Sequence, residues 1–271
     1  MKLDLTQGIC DNSQYNAWRF PGGELHAKLK FSNLTDEKIE IVARLNSSDD
    51  IILLLLVNDI LIKDFKKNQR NLFIPYMPYQ QADRNFGAGE CFSLKTIATL
   101  INTMNFDKVT VFAPHSDVTP ALLNNCEVID NSSFILKVLQ NIGCSDENLA
   151  IVSPDAGAYK LIFKLCQKLG FKGEIVTCSK SRNHTTGELT TVVPNFDENK
   201  TVLIIDDIAL GSRTFFNIRS EMKNENVYLA VSHGIFNENV DKLENEFTKV
   251  FTTNSRRSNS VSEKIEIIDI F

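Results

Sequence analysis

Two adjacent acids, Asp206 and Asp207, follow the apolar run Val202-Leu203-Ile204-Ile205. A Gly/Ser turn and a predicted helix start come next, at Leu210-Gly211-Ser212-Arg213-Thr214. In open α/β sheets, ligands sit beyond the carboxyl ends of strands. Free N–H groups at a helix start favour phosphate. Paired carboxylates before such a turn accept hydrogen bonds from sugar hydroxyls or hold a metal ion. The same pair also caps a turn, and this fragment alone leaves both readings open. Three further places join reactive side chains to a strand end or polar stretch. Pro114-His115-Ser116 follows the run Lys108 to Phe112. Pro154-Asp155-Ala156-Gly157 follows Leu149 to Val152. Lys180-Ser181-Arg182 opens a polar stretch that reaches Thr186-Gly187. Each has a plain alternative: His115 as a polar residue at a helix start, Asp155 as a helix cap, Lys180 and Arg182 as solvated charges.

The elements that must position these residues are legible as alternating patterns. Continuous apolar runs predict strands at Ile51 to Val57, Asn71 to Ile74, Lys108 to Phe112, Leu149 to Val152 and Glu174 to Thr177. Further strands are predicted at Thr201 to Ile205, Val227 to Val231 and Lys249 to Thr252. Runs without alternation suit strands covered on both faces, hence a parallel sheet. Leu94, Ile97, Ala98 and Ile101 share one helical face; Tyr159, Ile162, Phe163 and Cys166 share another. Lys264 to Ile270 largely alternates and reads as a last strand at an edge. Strand–helix alternation predicts an α/β fold. At about 150 residues per domain, 271 residues give about two domains. The polar stretch Asp130-Asn131-Ser132-Ser133 places the boundary between 1–132 and 133–271.

Composition excludes several classes. The net charge is -5, and the densest basic pair is Arg256-Arg257. Nucleic-acid binding needs a broader basic face, so none is expected. The longest apolar run is too short to span a bilayer, and the start lacks the apolar core of a signal peptide. The six cysteines form no C-x-x-C pair. A reducing, cytoplasmic setting is expected, with no membrane partner.

In chain order, the motifs resemble the ribose-phosphate diphosphokinase family. Trp18-Arg19-Phe20-Pro21-Gly22-Gly23-Glu24 resembles its adenine-contacting loop. Ile74 to Arg84 resembles its Pro-Tyr-x-x-Tyr-Ala-Arg-Gln-Asp-Arg segment. Pro114-His115-Ser116 looks like its Asp-Pro-His segment, and Ser153 to Gly157 matches its Ser-Pro-Asp-Ala-Gly-Gly run. Lys180 to Gly187 resembles its catalytic loop, and Asp206 to Thr214 its phosphoribosyl loop. Ser232 to Phe236 and Thr252 to Ser255 match late signatures. Any one of these is weak; the ordered set, from about residue 18 to 255, is specific.

The resemblance implies two type I phosphoribosyltransferase-like domains, each a mainly parallel sheet flanked by helices. It implies transfer of the β,γ-diphosphate of ATP to the 1-hydroxyl of ribose 5-phosphate, giving phosphoribosyl pyrophosphate and AMP. By the same resemblance Lys180 and Arg182 are catalytic. Phe20, Glu24, Gln81, Asp83, Arg84 and His115 bind ATP. Asp206, Asp207, Gly211, Ser212, Arg213 and Thr214 bind the ribose phosphate. His115 and Asp155 hold Mg²⁺. It also implies a homo-oligomer, a dimer or hexamer, with the adenine site shared between subunits.

Several positions depart from the family pattern. Leu210 stands where Asp is usual, and Gly211-Ser212-Arg213 replaces Thr-Gly/Ala-Gly. Gln81 replaces an ATP-contacting Arg, Ala113 the Asp before Pro-His, and Gly22 an Asn or Asp. Arg213 either binds phosphate bidentately or occludes a monoester pocket. The alternatives are therefore a larger ribose 5-phosphate ester, such as ADP-ribose, as acceptor, or a non-catalytic regulatory homologue. A phosphoribosyltransferase is the weaker fourth reading, because it has no use for the segments holding Phe20/Glu24 and Pro75 to Arg84.

Overall fold

The computed structural model describes residues 1–31, 37–85, 87–182, 189–238, 240–256 and 263–271. Thr186, Gly187 and Arg257 lie outside the described residues, and for Lys180 and Arg182 only the backbone is described. The chain divides into two compact units, Met1–Asp130 and Asn131–Phe271.

The first unit contains β1 (Lys2–Asp4), β2 (Tyr15–Arg19), β3 (Leu25–Leu29), β4 (Lys38–Val42) and α1 (Ser48–Asp64). These are followed by β5 (Gln69–Ile74), α2 (Ser93–Thr103), β6 (Lys108–Phe112), α3 (Val118–Leu122) and β7 (Cys126–Ile129). Its five-stranded sheet is parallel, in the order β1-β4-β5-β6-β7. β2 and β3 form a separate antiparallel hairpin. Ile39, Ile41, Leu72, Val109 and Val111 from the sheet are buried with Leu53, Leu54, Val57 and Leu61 from α1. Burying each such side chain contributes about 1.5–3 kcal/mol.

The second unit contains α4 (Ser132–Ile142), β8 (Leu149–Ser153), α5 (Ala156–Leu169), β9 (Glu174–Thr177), β10 (Ser179–Arg182) and β11 (Leu189–Val192). β12 (Thr201–Ala209), α6 (Arg213–Ser220), β13 (Val227–Gly234), α7 (Val240–Glu246), β14 (Lys249–Thr253) and β15 (Ile265–Ile268) complete it. Six strands run parallel in the order β15-β14-β13-β12-β8-β9. As the alternation predicts, β15 is an edge strand. Because β8, β12 and β13 are parallel neighbours, with Val202 opposite both Ala150 and Val227, the residues after each strand emerge at one end of the sheet.

Four expectations need correction. Ile51 to Val57 is helical, not a strand: it lies inside α1. Ser47 caps that helix, its Oγ accepting from Asp50 N–H at 3.3 Å while an Asp50 carboxylate oxygen accepts from Ser47 N–H at 2.9 Å. This reciprocal cap, with Asp49 and Asp50 in the first turn, outweighs the apolar run, which by itself fits either element. Ile52 is 42% exposed, so the run is not covered on both faces.

On α5 the buried stripe is Ile162, Leu165 and Cys166, whereas Tyr159 and Phe163 stand exposed at its rim with ring centroids 5.9 Å apart. The third correction concerns β12, which does not end at the acids but runs through them to Ala209, paired with Gly234. A Cβ at Gly234 would stand 2.3 Å from the Phe236 ring and 2.6 Å from Thr252 Oγ1, so only glycine fits there. The N–H groups of Ile235 and Phe236 then bond the Ala209 carbonyl at 2.9 and 3.1 Å, which fixes the end of β12. Fourth, the backbone of Lys180 to Arg182 is strand rather than loop. It pairs antiparallel with β11, whose Thr190, Thr191 and Val192 favour extended backbone.

Candidate active site

In the first unit, β5 and β6 are parallel neighbours, so the segments after Ile74 and Phe112 leave the sheet side by side. Asp83 is buried at 4% exposure. Its two oxygens accept from Arg84 Nε and Ser116 Oγ, each at 2.8 Å. The Arg84 hydrogen bond holds the Asp83 carboxyl below its usual range. Burial opposes this; the Ser116 hydroxyl and the charges of Arg84 and His115 reinforce it. Asp83, Arg84, Ser116 and His115 thus form one group. Arg84 is anchored at Nε, yet its side chain is 68% exposed, so the guanidinium faces solvent. Gln81 is exposed on the same segment. His115 is half-buried, and its N–H donates to Gln80 Oε1 at 3.0 Å.

Phe20 and Glu24 stand on the β2–β3 hairpin. Phe20 is 46% exposed. Its ring centroid lies 6.0 Å from that of Trp18 and 5.3 Å from that of His26, so the three rings form one aromatic group. A Cβ at Gly22 would stand 2.7 Å from Glu24 Oε2, so the glycine lets this carboxylate fold over the turn.

In the second unit, Asp155 caps α5, accepting from Ala158 N–H at 3.0 Å. Asp206 and Asp207 lie on the neighbouring β12, and the Asp207 amide donates to Asp206 Oδ1 at 2.9 Å. Burial pushes the Asp206 carboxyl well above its usual range. Repulsion from Asp207 and then Asp155 adds to that shift, so Asp206 is crowded by both. Hydrogen-bond donors or a cation would relieve the crowding.

The loop that follows leaves Leu210 40% exposed and Arg213 exposed as the first residue of α6. Ser212 is 5% exposed with φ 60, a left-handed conformation that L-residues other than glycine rarely adopt. Its Oγ is buried without a partner among the described residues. Gly211 and Thr214 are half-buried, and a Cβ at Gly211 would meet open space.

Among the described residues, no group of three or more His, Cys, Asp or Glu side chains forms a metal cage. Sequence reasoning missed Gln80, Ser116, Trp18 and His26 as members of these groups. The signal for Gln80 was present: a polar amide in the motif position that the resemblance fills with Ala.

No protein-family model matches the chain. It is 26% identical over 261 residues to the ribose-phosphate pyrophosphokinase of Sulfurisphaera tokodaii, covering 93% of this chain and 87% of that one. It is 28% identical to the ribose-phosphate pyrophosphokinase of Sulfolobus acidocaldarius, with the same coverage. The phosphoribosylpyrophosphate synthetase structure from Mycobacterium smegmatis superposes with a TM-score of 0.80. It covers 99% of this chain and 94% of that one, at 17% identity. The fold is therefore α/β with mainly parallel sheets flanked by helices, of the type I phosphoribosyltransferase-like class.

Proposed function

We propose that this chain, which belongs to the ribose-phosphate pyrophosphokinase family, transfers the β,γ-diphosphate of ATP to the 1-hydroxyl of ribose 5-phosphate. The hydroxyl oxygen attacks the β-phosphorus, the bond from that phosphorus to the α,β-bridging oxygen breaks, and AMP leaves. The hydroxyl proton passes to solvent. The observation that carries this reading is the placement of Asp206 and Asp207 near the end of β12, with the loop opening α6 directly after them and Asp155 following the neighbouring strand β8. Acids of that kind accept from the 2- and 3-hydroxyls of a ribose. The N–H groups at the start of α6, with Gly211, Ser212, Arg213 and Thr214, suit its phosphate.

Phe20 stacks on adenine and Glu24 accepts from its amino group. Arg84 meets the triphosphate, with Asp83 fixing it and Gln81 beside it. Lys180 and Arg182 stabilise charge on the migrating group. His115 and Asp155 would hold magnesium, which when bound neutralises phosphate charge. The exposed aromatic hairpin suits an adenine site completed by a neighbouring subunit in a homo-oligomer. A cytoplasmic setting belongs to the same reading and accords with six free cysteines.

A second reading rests on Arg213 and Leu210. An exposed guanidinium at the first position of α6, beside an exposed apolar residue, suits the second phosphate of an ester such as ADP-ribose. Incubation with ATP, Mg²⁺ and each acceptor separately, followed by mass spectrometry, tests both. AMP and a 1-diphosphate from ribose 5-phosphate support the first reading. Product from ADP-ribose alone transfers the function to the second, and no product from either rejects both.

A further inference from the structure

We propose that Gln80 is a positioning residue that holds the His115 segment in place for metal and ATP phosphate, an inference that rests on the role assigned to His115 above. After β6 the chain turns through Ala113, whose φ is 42 and whose N–H bonds the Ile129 carbonyl at 2.8 Å. Pro114 has no N–H to offer. The next donor is the backbone N–H of His115, and Gln80 Oε1 accepts it at 3.0 Å. That bond crosses from the segment after β5 to the segment after β6.

Gln80 is wholly buried, at 0% exposure, and its Nε2 has no partner among the described residues. A buried amide that leaves half its hydrogen-bonding capacity unused is costly to keep. An apolar side chain would avoid the orphaned Nε2, but it would leave the His115 N–H without this acceptor. Two departures from the resembling motif converge here: Gln stands at position 80 where Ala is usual, and Ala stands at 113 where Asp is usual. The segment that lacks an acid two residues before His115 has an amide acceptor from the segment after β5 instead.

Three variants separate this role from packing. Gln80→Met keeps the volume and removes the acceptor. Gln80→Glu keeps an acceptor oxygen. Gln80→Ala restores the residue of the motif. The first readout needs no activity: hydrogen exchange of the His115 amide, followed by NMR. Exchange at least about tenfold faster in Gln80→Met and Gln80→Ala than in the wild type is expected, with protection kept in Gln80→Glu. The second is the Mg²⁺ concentration for half-maximal AMP formation. It should rise about fivefold or more in Gln80→Met, while the acceptor KM stays within about twofold. Wild-type His115 exchange in Gln80→Met overturns the proposal, and so does an unchanged Mg²⁺ dependence. If the wild type itself forms no AMP, the proposed function fails, and the exchange experiment still decides whether Gln80 holds the segment.

Discussion

Asp206 carries two opposed demands. Its carboxyl is raised by burial and by repulsion from Asp207 and Asp155, so in the folded chain its ionised form is unfavourable. The unfolded state ionises in the ordinary carboxylate range, binds fewer protons above it, and is favoured as pH rises from there through the raised folded value. Asp206→Asn removes that penalty. It should match the wild type in melting temperature near about pH 4 and exceed it by about 2–4 °C at neutral pH. The same variant should lose about 10- to 100-fold in kcat/KM, because one of the two oxygens proposed to accept from ribose hydroxyls becomes an amide donor. A melting curve at two pH values and a rate assay check both halves. Asp83 has the opposite sign: its lowered value adds stability above its unfolded range, lost as pH falls through the folded one. Lys180→Ala should lower turnover by about 10²–10³-fold and leave ATP KM within about threefold, as expected for a group that acts on the migrating diphosphoryl. Equal losses in both would mean that the loop holds ground state and transition state alike.

At the scale of elements, the loop opening α6 stores strain at one residue. Ser212 holds φ 60 and buries an unpartnered hydroxyl. Ser212→Gly should therefore stabilise the chain by about 1 kcal/mol, a rise of about 2–4 °C in a thermal melt. A fall would mean that the hydroxyl finds a partner in solution. The strands holding the acids were legible, because runs such as Val202 to Ile205 are apolar without alternation and mark a sheet covered on both faces. Ile51 to Val57 was misread, since an apolar run of that length fits strand or helix equally and the deciding signal lay outside it, in Ser47 and Asp50. Asp83, Arg84, His115, Asp155, Asp206 and Asp207 were singled out as candidates through motif order. Gln80 was not, because its bond to His115 spans 35 residues and follows from sheet order rather than from local pattern.

At the scale of the molecule, the chain holds two separate cores, one in each unit. Proposed sharing of the adenine site predicts that activity follows assembly. Light scattering across a dilution series should show activity per chain falling as dimers or larger species dissociate, and a fully active monomer would end the shared-site account. The most direct test of the central claim is the phosphorus inventory of one turnover. ³¹P NMR of the chain with ATP, Mg²⁺ and ribose 5-phosphate should show AMP appearing in step with a diphosphate on the sugar C1, and no ADP. ADP with a sugar monophosphate, or ATP left intact, would contradict the transfer of a diphosphoryl group.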